Sequence, residues 1–145
     1  MPLISELKKH SKFKSQADVK CFSEIVQKMA LTKDNKYISV ILSYLDDDSE
    51  NIDLMKVLIG MAESFNSADY LQSVLDMTET LNKLAPDWLE YITYRITNSE
   101  AYTNTYKTLL KSHPNSNLIK SYLMNFSKIN PEKNTIIRSI LEDDS

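Results

Sequence analysis

At 145 residues, 42% apolar and 26% charged, the chain has the size and composition of a folded domain able to bury roughly 70% of the surface it exposes when unfolded. Its one glycine, Gly60, speaks against hairpin-built and barrel folds, which need positive-φ turns, and against the Gly-rich loops that cradle nucleotide phosphates. A net charge of −3 speaks against direct nucleic-acid binding, which needs clustered cations, and the single Cys21 cannot form an internal disulfide.

The predicted elements are all helices. Leu3, Ile4 and Leu7 mark a short first one, and Ala17, Phe22, Ile25, Val26 and Met29 keep helical spacing over residues 15–31. Cys21, on that pattern, reads as a small buried hydrophobe. Residues 35–45 (Tyr37, Ile38, Val40, Ile41, Leu42, Tyr44, Leu45) fit a buried strand or a buried helix; with no glycine turn and no partner strand, we read a helix. The next helix, over residues 49–65, is expected to be capped by Asp47 or Asp48, with Glu50 closing a capping box. Met55, Ile59 and Ala62 give it one apolar stripe and Leu54, Leu58, Met61 and Phe65 a second, so it packs on two sides. Asp53, Lys56, Gly60 and Glu63 are left for water or a partner. Gly60 weakens a helix relative to Ala, which points to a close approach there.

Asn66 or Ser67 caps residues 68–84, whose inward face is Leu71, Val74, Leu75, Thr78 and Leu81. Pro86 suits the first turn of the following helix, where its missing N–H costs nothing. There Trp88, Leu89, Ile92 and Ile96 point inward, and Asp87, Glu90, Tyr91 and Tyr94 point to the other side. Arg95 falls near the inward face and is expected in a buried or half-buried salt bridge. Asn98 or Ser99 caps a helix containing Tyr102, Tyr106, Leu109 and Leu110, which His113-Pro114 ends. Leu118, Ile119, Tyr122, Leu123 and Phe126 form the next; Asn130-Pro131 opens the last, with Ile136, Ile137, Ile140 and Leu141 as its stripe. The expectation is one all-α domain over residues 1–145: eight or nine short antiparallel helices in a helical-hairpin stack resembling a HEAT/armadillo-like array.

Charge is the most distinctive pattern. Residues 46–100 hold twelve carboxylates against three cations (Lys56, Lys83, Arg95), a net of −9, while the flanks are net positive. Gathered like charges repel and do nothing for a core, so the belt reads as a docking surface for a basic partner. The bland alternative for Asp46-Asp47-Asp48 is a solvated loop whose acids favour the positive end of the next helix. A calcium loop is a poorer reading, because it alternates its ligands and needs a glycine at its sharp turn. Catalytic chemistry finds little support. His10 and His113 lie near helix ends without metal-ligand spacing, no nucleophile–base set stands out, and no cofactor is called for. No apolar run is of signal-peptide or membrane-spanning length, which gives a cytoplasmic expectation.

The middle of the chain also resembles a known family. Tyr44-Leu45-Asp46-Asp47-Asp48-Ser49-Glu50 leads into a helix ending Glu63-Ser64-Phe65. Tyr70-Leu71, Ala85-Pro86-Asp87-Trp88 and Tyr94-Arg95-Ile96-Thr97-Asn98-Ser99-Glu100 follow, with Tyr102 just beyond. This ordered set, over roughly residues 38–141, resembles the immunity protein 30 family of bacterial polymorphic toxin systems. The resemblance implies an all-helical, non-enzymatic, cytoplasmic antidote that binds a cognate protein toxin and takes no small-molecule substrate. Many such toxins are nucleases with basic active sites. On that reading Asp46, Asp47, Asp48, Glu50 and Asp53 engage toxin cations, and Glu63, Asp87, Glu90 and Tyr91 extend the patch. A helical-repeat adaptor that docks another host protein is the alternative.

Overall fold

A computed structural model describes residues 2–13 and 15–142; of the predicted domain, Met1, Lys14 and residues 143–145 lie outside the described residues. The described residues form nine α-helices and no strand: α1 (Pro2–Lys9), α2 (Gln16–Thr32), α3 (Lys36–Leu42), α4 (Ile52–Glu63), α5 (Ser67–Leu84), α6 (Pro86–Thr97), α7 (Glu100–Lys111), α8 (Ser116–Ile129) and α9 (Asn134–Leu141). A single 3-10 turn, Pro131–Lys133, precedes α9. No helix among them is long and apolar enough to cross a membrane. The chain gathers into two compact units, Met1–Tyr70 and Leu71–Ser145.

In the first unit α1 and α4 pack on α2, and α3 packs on both α2 and α4. Ser15 starts α2 by accepting the Asp18 N–H at 3.2 Å on its hydroxyl. Lys33 ends it in the left-handed region at φ 59°, returning its N–H to the Ala30 carbonyl. The ambiguous apolar run resolves as α3, and its Ile38, Ile41 and Leu42 are buried with Phe22, Val26, Met29, Met55 and Leu58. Each such side chain contributes roughly 1.5–3 kcal/mol by leaving water. Phe22 also joins Phe13 and Tyr44 edge-to-face, with ring centroids 5.1 and 5.2 Å away. Cys21 is half-buried rather than part of this core.

In the second unit α7 packs on α6, α8 and α9, and α8 packs on α9. Pro86 occupies the first turn of α6 as expected, and Ser99 caps α7 by accepting the Tyr102 N–H at 3.1 Å. Asn66, a residue of the first unit, caps α5, its Oδ1 accepting from the Ala68 and Asp69 N–H groups at 3.0 and 3.4 Å. Leu89, Ile92, Ile96, Tyr106, Ile119, Leu123 and Ile137 are buried. Four buried threonines return their hydroxyls to carbonyls: Thr78 to Val74 (2.8 Å), Thr93 to Leu89 (2.8 Å), Thr97 to Thr93 (3.0 Å) and Thr103 to Ile96 (3.1 Å). Burial therefore leaves those oxygens paired.

Gly60 does not mark a close helix contact. It is exposed on α4, and a Cβ built there meets nothing within 4 Å.

Candidate functional site

In the first unit the carboxylate run lies in the connection between α3 and α4, and its local structure differs from the capping box expected of it. Asp46 Oδ1 accepts the Asp48 N–H at 2.9 Å, the Ser49 N–H returns to the Asp46 carbonyl at 3.2 Å, and Ser49 Oγ accepts the Asn51 N–H at 3.1 Å. These side-chain bonds compete with helix formation. The Ser49 and Asn51 N–H groups, which a cap at Asp47 or Asp48 could have used, are taken in this turn, and α4 begins later, at Ile52, with Asn51 as a cap that makes no side-chain bond. Asp46, Asp48, Glu50 and Asp53 are exposed, and Asp47 and Glu63 are half-exposed. Asp53, in the first turn of α4, sits where the helix dipole favours a negative charge. It also borders an open groove of about 500 Å³ between α2 and α4, with Lys20, Glu24, Leu54 and Val57.

The second unit carries Asp87, Glu90 and Tyr91 on α6. Glu90 is half-buried and held by Asn130, whose Nδ2 donates to Oε1 at 3.2 Å and also to the Phe126 carbonyl at 3.1 Å. Tyr91 meets the half-buried Trp88 edge-to-face at 5.4 Å, so the indole is not the core residue its phase predicted. Arg95 corrects a second expectation. It is exposed, its guanidinium 5.8 Å from the Tyr91 ring centroid, because residue 95 falls just outside the inward arc set by Ile92 and Ile96. With Asp87, Glu90, Tyr94 and Asn98 it lines an open concavity of about 520 Å³.

Three residues of this region were not among the predicted site residues. Lys133 is 9% exposed, hydrogen-bonds Asn98 Oδ1 and lies 4.4 Å from the Tyr94 ring centroid. Asn130 orients Glu90, although Asn130-Pro131 signalled only a helix start. The Tyr122 hydroxyl lies 2.9 Å from Thr93 Oγ1, and its pKa is pushed up to about 12 by burial and further by the Glu90 charge, against the Thr93 hydrogen bond. Tyr106 is raised further still by burial. No spacing in the chain announces these pairings, which join residues 29 to 40 positions apart.

Each histidine lies within hydrogen-bond distance of an aspartate. His113 is 9% exposed beyond the end of α7; its Nδ1 accepts the Asn115 N–H at 3.0 Å, so the ring hydrogen sits on Nε2 and is donated to Asp76 at 2.7 Å. His10 Nδ1 lies 2.8 Å from Asp18 Oδ1. Among the described residues no group of three or more His, Cys, Asp or Glu could hold a metal ion.

Residues 9–106, more than half of the chain, match the family described as Immunity protein 30. The match starts earlier than the resemblance noted in the sequence, taking in α2, and ends within α7. No curated protein and no solved structure matches the chain. The chain belongs to the immunity protein 30 family, an immunity family being one that is not typically enzymatic.

Proposed function

We propose that this member of the immunity protein 30 family is a cytoplasmic antidote, which neutralises a toxin domain delivered by a sibling cell or made in its own through an acidic surface that clamps a basic one. Family membership supplies the class of function. The observation that carries the finer reading is the α3–α4 connection, where Asp46, Asp47, Asp48, Glu50 and Asp53 crowd into one turn and the start of α4, four of the five exposed. A nuclease cleft is basic because it must hold phosphates, so a carboxylate-rich turn competes for it and speeds encounter at long range. On this reading Glu63, Asp87, Glu90 and Tyr91 add contacts on α4 and α6. Tyrosine suits such a place, since it buries large area with few rotors and keeps a hydroxyl.

The test is co-expression with the adjacent toxin gene, followed by co-purification and binding kinetics. The toxin should be retained by the antidote. Asp46→Asn, Asp47→Asn and Asp48→Asn together keep an accepting oxygen at residue 46, so the turn survives while the charge is lost. That variant should associate roughly tenfold more slowly and show a weaker salt dependence. Association at the unaltered rate would remove the three residues from the interface.

A further inference from the structure

One concavity in the Leu71–Ser145 unit has walls of a particular chemistry. It is a slot of about 170 Å³ between the first turn of α6 (Pro86, Asp87, Glu90) and Tyr122, Phe126 and Ile129 of α8. That volume lies below the ~300 Å³ where sites for drug-sized molecules begin, so it suits one side chain. Pro86, Phe126 and Ile129 give it apolar surface, and Ile129 is 61% exposed, an uncovered apolar group at its edge. Glu90 and Asp87 give it negative charge, and no Lys or Arg is among its described lining residues. Glu90 is preoriented by Asn130, and its charge is felt at the Tyr122 phenol. Apolar walls that lead to carboxylates match a long hydrocarbon stem with a cationic head.

The slot does not stand alone. Asn82, Tyr122 and Asn125 also line a neighbouring concavity of about 340 Å³, and Asp87 and Glu90 also line the one of about 520 Å³ that holds Tyr91 and Tyr94. Through these shared residues the three adjoin as one run of concavities; Lys83 lines the member of about 340 Å³ and Arg95 the one of about 520 Å³. A carboxamide both donates and accepts, so Asn82 and Asn125 are matched to the main-chain amides of an extended segment passing along it.

We propose that this slot receives the side chain of a Lys or Arg from an extended segment of the toxin, its stem on Pro86, Phe126 and Ile129 and its charge on Glu90 and Asp87. The inference rests on the immunity reading above and names a place in the second unit where the toxin's positive charge is held.

Binding of the adjacent-gene toxin to the full chain tests it. Glu90→Gln keeps the shape and removes the charge, and should weaken affinity by about 10- to 100-fold, mostly through faster dissociation, with unchanged thermal unfolding. Ile129→Arg, which puts a resident cation at the mouth and alters no buried side chain, should weaken binding to a similar degree. Full affinity in both variants would overturn the slot while leaving the immunity reading intact. If the unaltered protein fails to bind the toxin, the immunity reading falls. The slot is then decided by amide chemical shifts during titration with acetyl-Gly-Lys-Gly-amide, with acetyl-Gly-Gln-Gly-amide as control. Shifts at Asp87, Glu90 and Asn125 with the lysine peptide alone sustain it; equal responses to both peptides overturn it.

Discussion

Gly60 shows how a single residue can mislead and then become useful. A glycine inside a helix raises the suspicion of close packing, yet here a Cβ has open space on every side. With φ in the ordinary helical range and no neighbour to displace, Gly60→Ala should raise stability by about 0.5–1 kcal/mol through lower unfolded-chain entropy and better helix propensity. A urea midpoint that does not rise would argue that α4 needs the glycine for something other than its own folding. His113 is the opposite case: a helix-end position was legible, but its two hydrogen bonds to Asn115 and Asp76 were not, because Asp76 lies 37 residues away. His113→Ala removes a buried ring and two hydrogen bonds whose partners, Asp76 and Asn115, are exposed and can turn to water, so it should cost about 0.5–1.5 kcal/mol, measured by the same urea titration. Tyr122 makes a pH prediction. Its folded pKa lies near 12, above the ordinary 10.0, so the fold favours the neutral phenol. That stability is complete below the ordinary value and is lost as pH climbs from there through the folded one. Thermal melts across this alkaline range should show a steeper fall for the native chain than for Tyr122→Phe.

At the scale of the element, periodicity located the helices well, because apolar side chains at i, i+3 and i+4 are what a packed helix requires. The caps Asn66 and Ser99 and the opening proline Pro86 were legible for the same local reason. The α3–α4 connection was not. Asp46, Asp47, Asp48, Ser49 and Asn51 are all competent caps or turn-formers, and which one wins depends on a competition among hydrogen bonds that spacing does not settle. The outcome has a measurable consequence. Asp48→Ala should change stability by less than about 0.5 kcal/mol, since that side chain caps nothing on the observed arrangement. Asp46→Ala, which removes the acceptor for the Asp48 N–H, should cost about 0.5–2 kcal/mol, as loss of a comparable side-chain-to-backbone bond does. A reversed order in chemical denaturation would restore the capping box. Arg95 and Trp88 were misplaced by a similar margin, since a residue at the edge of a helical stripe can fall on either side of the water boundary with a small rotation.

For the molecule as a whole, the decisive feature is the uneven distribution of charge along the chain, −9 over residues 46–100 against a total of −3. Of the cations in that stretch, Lys83 lies 3.4 Å from Glu79, four residues earlier on the same helix, and Arg95 lies over the Tyr91 ring. On the proposed reading the excess of twelve carboxylates over three cations in that stretch acts on the toxin as a field. Because the Debye length falls from roughly 14 Å to roughly 4 Å between about 0.05 and 0.5 M salt, steering of a basic toxin should fade over that interval. The association rate constant should drop by tenfold or more while dissociation, governed by close contacts such as the Glu90 slot, changes little. Stopped-flow mixing with the adjacent-gene toxin separates the two. An association rate flat across that salt range would mean that the negative stretch serves the fold's own solvation and not its encounters, and the acidic-clamp mechanism would have to be abandoned even for a protein that still protects its host.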